Sequence, residues 1–274
     1  MMAELDIALL ANILQEAAAT EILPRFRNLG AEDIRVKTEA IDLVTEADEA
    51  AERRIMARLA EAMPDALFIG EEGVAADPSL LDKLADADLA VVIDPIDGTF
   101  NFASGLPLFG VMASVVAKGE TVAGVIYDPM GNDWLIAERG SGAWFCGADG
   151  SQTEATLAPP MPLDQMVGIA NASYIPVEHR RTMLTNLAEV RLFTTYRCAA
   201  HEYRAFSGGH FHFLMYHKLM PWDHLAGALI CEEAGAHVRR LDGSVYKPGQ
   251  VEGGLLIAPD ESSWQELRRK IFTF

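Results

Sequence analysis

The stretch VVIDPIDGTFNF, residues 91–102, constrains the fold more than any other part of this sequence. Its apolar start is typical of a strand buried on both faces of a sheet, and this strand ends directly on Asp94. Pro95 fixes its own φ and donates no backbone hydrogen bond, so the turn that brings Asp97 back beside Asp94 is stiff. Two carboxylates held close together repel unless a proton or a cation lies between them, and oxygen ligands favour Mg²⁺. The stretch therefore predicts a cation site, with an Asx-type turn capped by two aspartates as the alternative.

Three further acids lie where a predicted helix or strand begins or ends. Glu71 follows a short apolar strand, and Asp223 falls in the first turn of a helix whose sequence begins PWD. Asp48 follows Thr45 at the spacing of a capping box. Taken singly, each acid has an ordinary explanation as part of an exposed loop or as a helix cap. Taken together, they lie at the ends of elements that can converge on one site.

The composition bounds the class of protein. The chain has 274 residues, half of them hydrophobic, so it can bury a large core as one large domain or two closely packed ones. Forty acids against 22 bases give a net charge of −18, which argues against a nucleic-acid binder. No apolar run is long enough to span a membrane, and the N-terminus has the pattern of an amphipathic helix rather than of a signal peptide. Three widely spaced cysteines favour a reducing cytoplasm.

Hydrophobic periodicity and turn residues divide the chain into two halves. We expect an N-terminal α+β half over residues 1–155, carrying most of the acids, and a C-terminal α/β half over residues 156–274, joined in the loop 147–164. The predicted helices cover residues 4–27, 42–65, 78–87, 177–189, 200–208, 222–234 and 260–271. The predicted strands cover residues 66–72, 89–94, 109–118, 121–127, 133–138, 166–171, 191–195, 211–216, 236–239 and 254–258, with one more inside RGSGAWFCG.

Other motifs for catalysis or cofactor binding are absent from the sequence. It contains no GxxxxGK[ST] phosphate loop, no GxGxxG and no GxSxG nucleophile turn. His210 and His212 in GGHFHF can share one face of a strand, as zinc ligands do. No third histidine or cysteine at ligand spacing supports a zinc site, so ordinary strand histidines are the favoured interpretation.

Four motifs carry a resemblance that spans nearly the whole chain: KTEAIDLVTEAD at 37–48, GEE at 70–72, DPIDGTFNF at 94–102 and PWDHLAGALICEEAGA at 221–236. In order and spacing they resemble the inositol monophosphatase family of Mg²⁺-dependent, lithium-sensitive phosphatases. The resemblance implies an α/β (α+β) fold, a layered αβαβα sandwich of the inositol monophosphatase and fructose-1,6-bisphosphatase type. It also implies that the site lies between the two halves.

The resemblance implies which residues hold the metal. Glu71, Asp94 and the backbone carbonyl of Ile96 would bind one Mg²⁺ ion. Asp94, Asp97 and Asp223 would bind a second, and a weaker third ion would lie near Glu71. Mn²⁺ is the expected substitute ion.

The same resemblance implies the remaining roles. Asp48 and Thr99 would orient the metal-bound water and help to deprotonate it, and Lys37 would supply a supporting charge. The backbone amides of Gly98 and Thr99 would hold the phosphate. The expected substrate-binding set is Gly98, Thr99, Asp97 and Asp223.

The sequence departs from the family's usual pattern on the side that would hold the alcohol part of a substrate. Phe100 stands where the family usually has a second threonine. Tyr216 stands seven residues before Asp223, where members that act on inositol phosphate have a glutamate. The family's small-residue stretch, often Gly-Ser/Thr-Ala-Ala, is RCAA here. Arg197 and Arg204 are candidate contacts to a more anionic substrate, with surface arginines as the alternative.

The sequence therefore predicts a Mg²⁺-dependent phosphomonoesterase, similar to inositol-1-monophosphatase, that acts on a small phosphorylated metabolite. Histidinol phosphate, fructose 1,6-bisphosphate and adenosine 3′,5′-bisphosphate are alternative substrates. A regulatory binding role in a transcription complex is an alternative of a different class. We expect a cytoplasmic homodimer that uses neither a membrane nor a nucleic-acid substrate.

Overall fold

A computed structural model describes residues 6–274 of the chain. Its α-helices are α1 (Ile7–Ala17), α2 (Glu46–Ala62), α3 (Glu71–Ala76), α4 (Thr99–Ala103), α5 (Val177–Asn186), α6 (Ala199–Ser207), α7 (Pro221–Glu233) and α8 (Glu261–Lys270). Within these residues, no helix is both long and apolar enough to cross a membrane.

Fourteen strands form a hairpin and two larger sheets in the described part of the chain. The hairpin pairs β1 (Ile34–Val36) with β2 (Leu43–Thr45). The first sheet contains, in spatial order, β3 (Leu67–Gly70), β4 (Leu89–Asp97), β5 (Gly110–Ala117), β6 (Glu120–Asp128), β7 (Asp133–Glu138), β8 (Ala143–Gly147) and β9 (Gln152–Glu154). The second sheet contains β10 (Val167–Ala170), β11 (Leu192–Thr194), β12 (Phe213–Tyr216), β13 (His237–Arg240) and β14 (Leu255–Ala258), in the spatial order β11-β10-β12-β14-β13.

The two sheets and the helices alternate in layers. Helices α1 and α2 share one apolar core with one face of the first sheet. Helices α6 and α7 fill the space between the two sheets, and α5 and α8 cover the far face of the second sheet. Because the first sheet is covered on both faces, its central strands are apolar along most of their length. This order of layers confirms the predicted αβαβα sandwich.

The first predicted helix, residues 4–27, is wrong in its second half. Regular α-helix ends at Ala17 and is followed by a π-turn over Ala18–Ile22 and a 3₁₀ turn over Leu23–Arg25. Pro24 explains why regular α-helix does not resume after Ile22, because proline donates no backbone hydrogen bond and its ring clashes with the preceding helical turn. The first two residues of that prediction, 4 and 5, lie outside the described residues.

Other predictions for the first half of the chain also differ from the structure. Strand β4 continues to Asp97 instead of ending at Asp94, and β9 lies in the predicted loop 147–164. Residues 43–45 form strand β2, so the second helix begins at Glu46 rather than at residue 42. Glu71 opens helix α3 instead of ending a strand, and residues 78–83 are a 3₁₀ helix. Helix α4 falls in a segment for which the sequence predicts no element. In the second half, the predicted elements agree with the structure to within two residues, although residues 187–189 form a 3₁₀ turn.

The prediction of two halves that meet at residues 155 and 156 stays a proposal. The first sheet ends at β9 and the second begins at β10. One apolar core is shared across that point, because Ile126 of the first sheet and Ile257 of the second both belong to the cluster that surrounds α6 and α7.

Candidate metal centre

A bulge in strand β4 places Asp94 and Asp97 together. In a regular strand, residues three apart point to opposite faces. Asp94 pairs with Met112 of β5, but Asp97 pairs with Gly110, so β4 contains one residue more than its partner over this interval. That extra residue reverses the alternation, and the two carboxylates can face the same cleft.

Three aspartates meet at the end of β4. One carboxylate oxygen each from Asp94, Asp97 and Asp223 lies within 4.8 Å of the others. Asp223 reaches the site from the first turn of α7, and this helix packs against the first sheet. Asp94 is only 1% exposed, and its Oδ1 atom is buried without a hydrogen-bond partner in the described structure. A buried oxygen of this kind costs free energy unless it meets a proton or a cation.

The electrostatics of the cluster favour a bound cation. Burial, followed by the charges of Glu71, Asp97 and Asp223, raises the pKa of Asp94 well above its usual value. Burial and the charges of Glu71 and Asp97 likewise raise the pKa of Asp223. Both shifts show that without a cation these carboxylates favour protonation. A set of hard oxygen donors with an unsatisfied buried oxygen fits Mg²⁺ or a similar ion.

Asp97 is fixed by the beginning of helix α6. Its Oδ2 atom accepts hydrogen bonds from the backbone N–H of Ala200 at 2.5 Å and from Sγ of Cys198 at 3.0 Å. Burial raises the pKa of Asp97, and the Ala200 bond partly opposes that shift. Because Oδ2 is held in this way, Oδ1 is left for a ligand.

Gly98 turns the chain from β4 into α4. Its φ of +89° lies in the left-handed region, which favours glycine. A Cβ atom here would also lie 3.1 Å from Cβ of Cys198 and from the carbonyl oxygen of Leu108. The next residue, Thr99, is thereby placed beside the aspartates at the start of α4.

Asp48 and Thr99 form a hydrogen-bonded pair next to the cluster. The Thr99 hydroxyl lies 2.9 Å from Oδ1 of Asp48 and 2.9 Å from the carbonyl oxygen of Ile96. Oδ2 of Asp48 accepts the backbone N–H of Thr45 at 2.8 Å, which is the capping box that the sequence predicts. Burial raises the pKa of Asp48 to about 7, Thr45 opposes the shift, and the charge of Glu71 adds to it. One carboxylate thus both caps α2 and faces Thr99.

Glu71 lines the same cleft but is held by Lys37 and lies outside the three-aspartate group. Nζ of Lys37 donates to Glu71 Oε1 at 2.8 Å and to Glu72 Oε1 at 2.6 Å. Burial alone would lower the pKa of Lys37, but these two carboxylates raise it above its usual value, so the lysine stays charged. Lys37 therefore contacts a candidate ligand rather than the cleft itself.

The sequence analysis missed Glu52, which fixes the helix that carries Glu71. Its carboxylate accepts the backbone N–H groups of Glu72 and Gly73, each at 2.8 Å, at the start of α3. In the sequence, Glu52 is one of many charged residues on a helix. The sequence signal that could have identified Glu52 is its position one helical turn after Asp48, which places both acids on the same face of α2.

We expect Glu52→Gln to weaken Mg²⁺ binding. The amide can accept only one of the two N–H groups and turns an NH₂ group toward the other, so the start of α3 and Glu71 lose their fixed position. Changes of this kind typically cost about 10- to 100-fold in metal affinity. Calorimetry measures the Mg²⁺ affinity directly, and the phosphatase rate is measured as a function of Mg²⁺ concentration. A high Mg²⁺ concentration should restore most of the rate.

Glu49→Gln is the matched control, because Glu49 lies on the same helix and pairs with Arg35 at the surface. An unchanged Mg²⁺ affinity in Glu52→Gln, or equal weakening in both variants, would contradict the positioning role.

The mouth of the cleft holds the residues that depart from the family pattern. The cleft is lined by Phe100 and the exposed Arg197, and by the buried Glu202 and Tyr216, together with the aspartates. The Tyr216 hydroxyl is buried beside Glu202, and burial together with the Glu202 charge raises the pKa of the tyrosine. Burial raises the pKa of Glu202 to about 7, and the Tyr196 N–H and the Thr195 hydroxyl, which both donate to Glu202, oppose that shift.

Two of the candidates that the sequence suggests lie elsewhere. Arg204 pairs with Asp133 at 2.5 Å and does not line the cleft. The ring of His212 contacts the backbone of Val167 rather than other candidate zinc ligands. Within residues 6–274, the group of acids, cysteines and histidines close enough to hold a metal is the aspartate cluster.

Comparisons with known proteins agree with this geometry. A model of the inositol monophosphatase family matches residues 4–273. The chain is 31% identical over 214 residues to a fructose-1,6-bisphosphatase/inositol-1-monophosphatase of Thermotoga maritima, covering 77% of each chain. It is 31% identical over 209 residues to the Nus factor SuhB of Vibrio cholerae, covering 74% of this chain and 73% of that one.

A solved inositol monophosphatase structure from Thermotoga maritima superposes with a TM-score of 0.81 at 25% identity. The match covers 97% of this chain and 96% of the other. Sequence, fold and the arrangement of the aspartates lead to the same assignment: the chain belongs to the inositol monophosphatase family.

Proposed function

We propose that this protein is a Mg²⁺-dependent phosphomonoesterase of the inositol monophosphatase type, acting on a small phosphorylated metabolite. The observation that carries the proposal is the buried, unpartnered Oδ1 of Asp94 beside Asp97 and Asp223. Next to this oxygen lies the Asp48–Thr99 pair, which is a candidate base. Membership of a family of phosphatases supports the same reaction.

In this proposal, Asp94, Asp97 and Asp223 hold one divalent ion, and Asp94, Glu71 and the Ile96 carbonyl hold another. A third ion near Glu71 and the use of Mn²⁺ in place of Mg²⁺ belong to the same proposal. Bound divalent ions neutralise phosphoryl charge and make a neighbouring water molecule more acidic.

The chain's own residues position the reacting groups. The Thr99 hydroxyl can donate to Asp48 and accept a hydrogen bond from the attacking water, so that a proton can pass toward the Asp48 carboxylate. The backbone amides of Gly98 and Thr99 hold the phosphate in this scheme. Lys37 holds Glu71 in place. No covalent intermediate with a side chain is required.

The alcohol part of the substrate would lie against Phe100, Arg197, Glu202 and Tyr216 at the mouth of the cleft. Inositol 1-phosphate, histidinol phosphate, fructose 1,6-bisphosphate and adenosine 3′,5′-bisphosphate all remain candidates. A cytoplasmic location, which rests on the three widely spaced cysteines, is part of the proposal. So is a homodimer, which rests on the family resemblance.

A regulatory role in a transcription complex is the second candidate function. It is favoured by the similarity to the Nus factor SuhB of Vibrio cholerae. Catalysis and such a role can coexist in one protein. A role in binding alone would leave the purified protein without phosphatase activity.

The experiment is phosphate release from a panel of phosphomonoesters. We expect turnover with Mg²⁺ or Mn²⁺, its loss with a chelator, its return when Mg²⁺ is added back, and inhibition by millimolar lithium. A phosphodiester should not be hydrolysed, because the proposed reaction is specific to monoesters. If no phosphomonoester in a broad panel released phosphate with either ion, the proposed function would be wrong.

A further inference from the structure

Arg197 is held over the ring of Phe100 at the mouth of the cleft. The central carbon of its guanidinium lies 3.6 Å from the ring centroid, which is the geometry of a cation–π contact. Both residues line the cleft that contains the three aspartates. The ring therefore fixes a positive charge on the same cleft as the candidate metal centre.

Arg197 occupies a left-handed turn at the position where the family often has glycine. Its φ of +54° lies in the left-handed region, which is unfavourable for a residue other than glycine. The turn is held by two hydrogen bonds: the Arg197 N–H donates to the Thr195 hydroxyl at 3.1 Å, and that hydroxyl donates to Glu202 at 3.0 Å. Strained residues persist where surrounding contacts over-determine them, and they often mark functional positions.

Arg197 has no acidic partner among residues 6–274, although the protein carries 18 more acids than bases. Its guanidinium contacts the Phe100 ring and, at 3.5 Å, the carbonyl oxygen of Ile41. Arg204, by contrast, is paired with Asp133. The nearby Lys218 also lines the cleft and lies over the ring of Tyr174 rather than on a carboxylate.

We propose that Arg197, stacked on Phe100, binds a second anionic group on the alcohol part of the substrate, so that the preferred substrates are phosphomonoesters carrying a carboxylate or a further phosphate. This inference rests on the proposed function and deepens it. The phosphate to be cleaved lies at the aspartates, and the second anion lies at the guanidinium, whose planar fork of donors matches both kinds of oxyanion. Lys218 would add to the positive potential at the same end.

The first test compares kcat/KM for glycerol 1-phosphate with that for 3-phosphoglycerate, in which a carboxylate replaces the terminal CH₂OH group. It also compares fructose 1-phosphate with fructose 1,6-bisphosphate, which adds a phosphate. In Arg197→Gln, we expect kcat/KM for the two substrates with a second anion to fall by about 10- to 100-fold, mainly through KM, as for a lost charged hydrogen bond. The loss on glycerol 1-phosphate and on fructose 1-phosphate should be much smaller. The substrate whose kcat/KM falls more in Arg197→Gln shows whether Arg197 prefers a carboxylate or a second phosphate.

A second test measures binding without turnover. Calorimetry with Mg²⁺ compares 3-phosphonopropionate and propane-1,3-diylbisphosphonate with propylphosphonate, which lacks the second anion. Arg197→Gln should weaken the first two and largely spare the third. Phe100→Leu should weaken binding of the same two ligands by roughly two- to fivefold, the size of an exposed cation–π contact. Phe100→Tyr keeps an aromatic ring under the guanidinium, so it should bind them as tightly as the wild type.

Arg191→Gln is the matched control, since Arg191 is an exposed arginine just before β11, at the other end of that strand from Arg197, and lies outside the cleft. It removes the same charge and should leave both substrate ratios unchanged. Equal losses on all ligands in Arg197→Gln, or no loss on any of them, would overturn the inference. Because the calorimetry requires no turnover, the role of Arg197 is decided even if the proposed phosphatase reaction fails.

Discussion

Replacing Asp94 by asparagine is expected to abolish Mg²⁺-dependent phosphate release and, at the same time, to stabilise the metal-free protein. The amide preserves the volume of the side chain but removes the anionic oxygen that the metal centre requires. Bound metal contributes several kcal/mol of charge stabilisation to the reaction, so we expect a loss of about a thousandfold or more in kcat/KM.

The stabilisation follows from the direction of the pKa shift. The pKa of Asp94 is raised in the folded protein, so the folded state binds a proton that the unfolded state releases. Stability is therefore highest below the unfolded pKa of about 3.9 and is lost as the pH rises from there toward the folded value. Asparagine has no such proton to bind. At neutral pH, the metal-free variant should melt at least about 2 °C higher than the wild type, as expected for 1 kcal/mol in a chain of this size.

Mg²⁺ should raise the melting temperature of the wild type at neutral pH, and this increase should shrink near about pH 4, where protons compete for the aspartates. In Asp94→Asn the increase should be small at either pH. Differential scanning calorimetry with and without Mg²⁺ measures all of these quantities.

Asp86→Asn is the control, because Asp86 is exposed and lies outside the cleft. That substitution should change neither the activity nor the effect of Mg²⁺. An active Asp94→Asn, or a variant that is inactive only because it unfolds, would favour the alternative in which the aspartates merely cap a turn.

The family resemblance was sufficient to predict the layers, and local sequence signals were sufficient to predict where the acids lie. Glu71 and Asp223 lie in the first turn of a helix, and Asp94 lies where the apolar run of β4 ends. Such positions are marked by local signals such as a proline or the end of an apolar run. These signals do not require knowledge of what packs nearby. The fold prediction is confirmed, and the structure brings the three aspartates together, while the roles of the individual residues stay predictions.

Features that depend on packing between distant segments could not be predicted. The bulge in β4 is visible only when β4 is paired with β5, since it is defined by the partner's register. Glu52 caps α3 because α2 lies beside it. Lys37 donates to both glutamates of GEE, and nothing in the local sequence around GEE predicts that contact. The sequence marks Phe100 and Arg197 separately, but their stacking requires the segment before α6 to lie against α4.

The second large effect is expected from Asp48→Asn, which should lower kcat while leaving Mg²⁺ affinity nearly unchanged. Asp48 is outside the three-aspartate group, but it faces the Thr99 hydroxyl. Loss of a positioned base typically costs about 10²- to 10⁴-fold. Thr99→Val should lower kcat in the same direction, because it removes the hydroxyl through which Asp48 acts.

The pH profile separates a base from a helix cap. Burial raises the pKa of Asp48 to about 7 in the metal-free protein, so below that pH the carboxyl is mostly protonated and cannot accept a proton. Bound cations favour the ionised form, so the wild-type kcat/KM should fall as the pH drops through a midpoint below about 7. In Asp48→Asn the remaining activity should lack this dependence.

Unfolding is not expected to account for the loss in Asp48→Asn. The asparagine oxygen can still accept the N–H of Thr45 at the start of α2. The raised pKa also means that the wild-type carboxyl loses stability as the pH rises from about 3.9 to about 7, a cost that the amide avoids. Asp260→Asn is the control, since Asp260 caps α8 through Ser263. If Asp48→Asn retained the wild-type kcat and pH profile, Asp48 would be only a helix cap, and the base would have to be another group in the cleft.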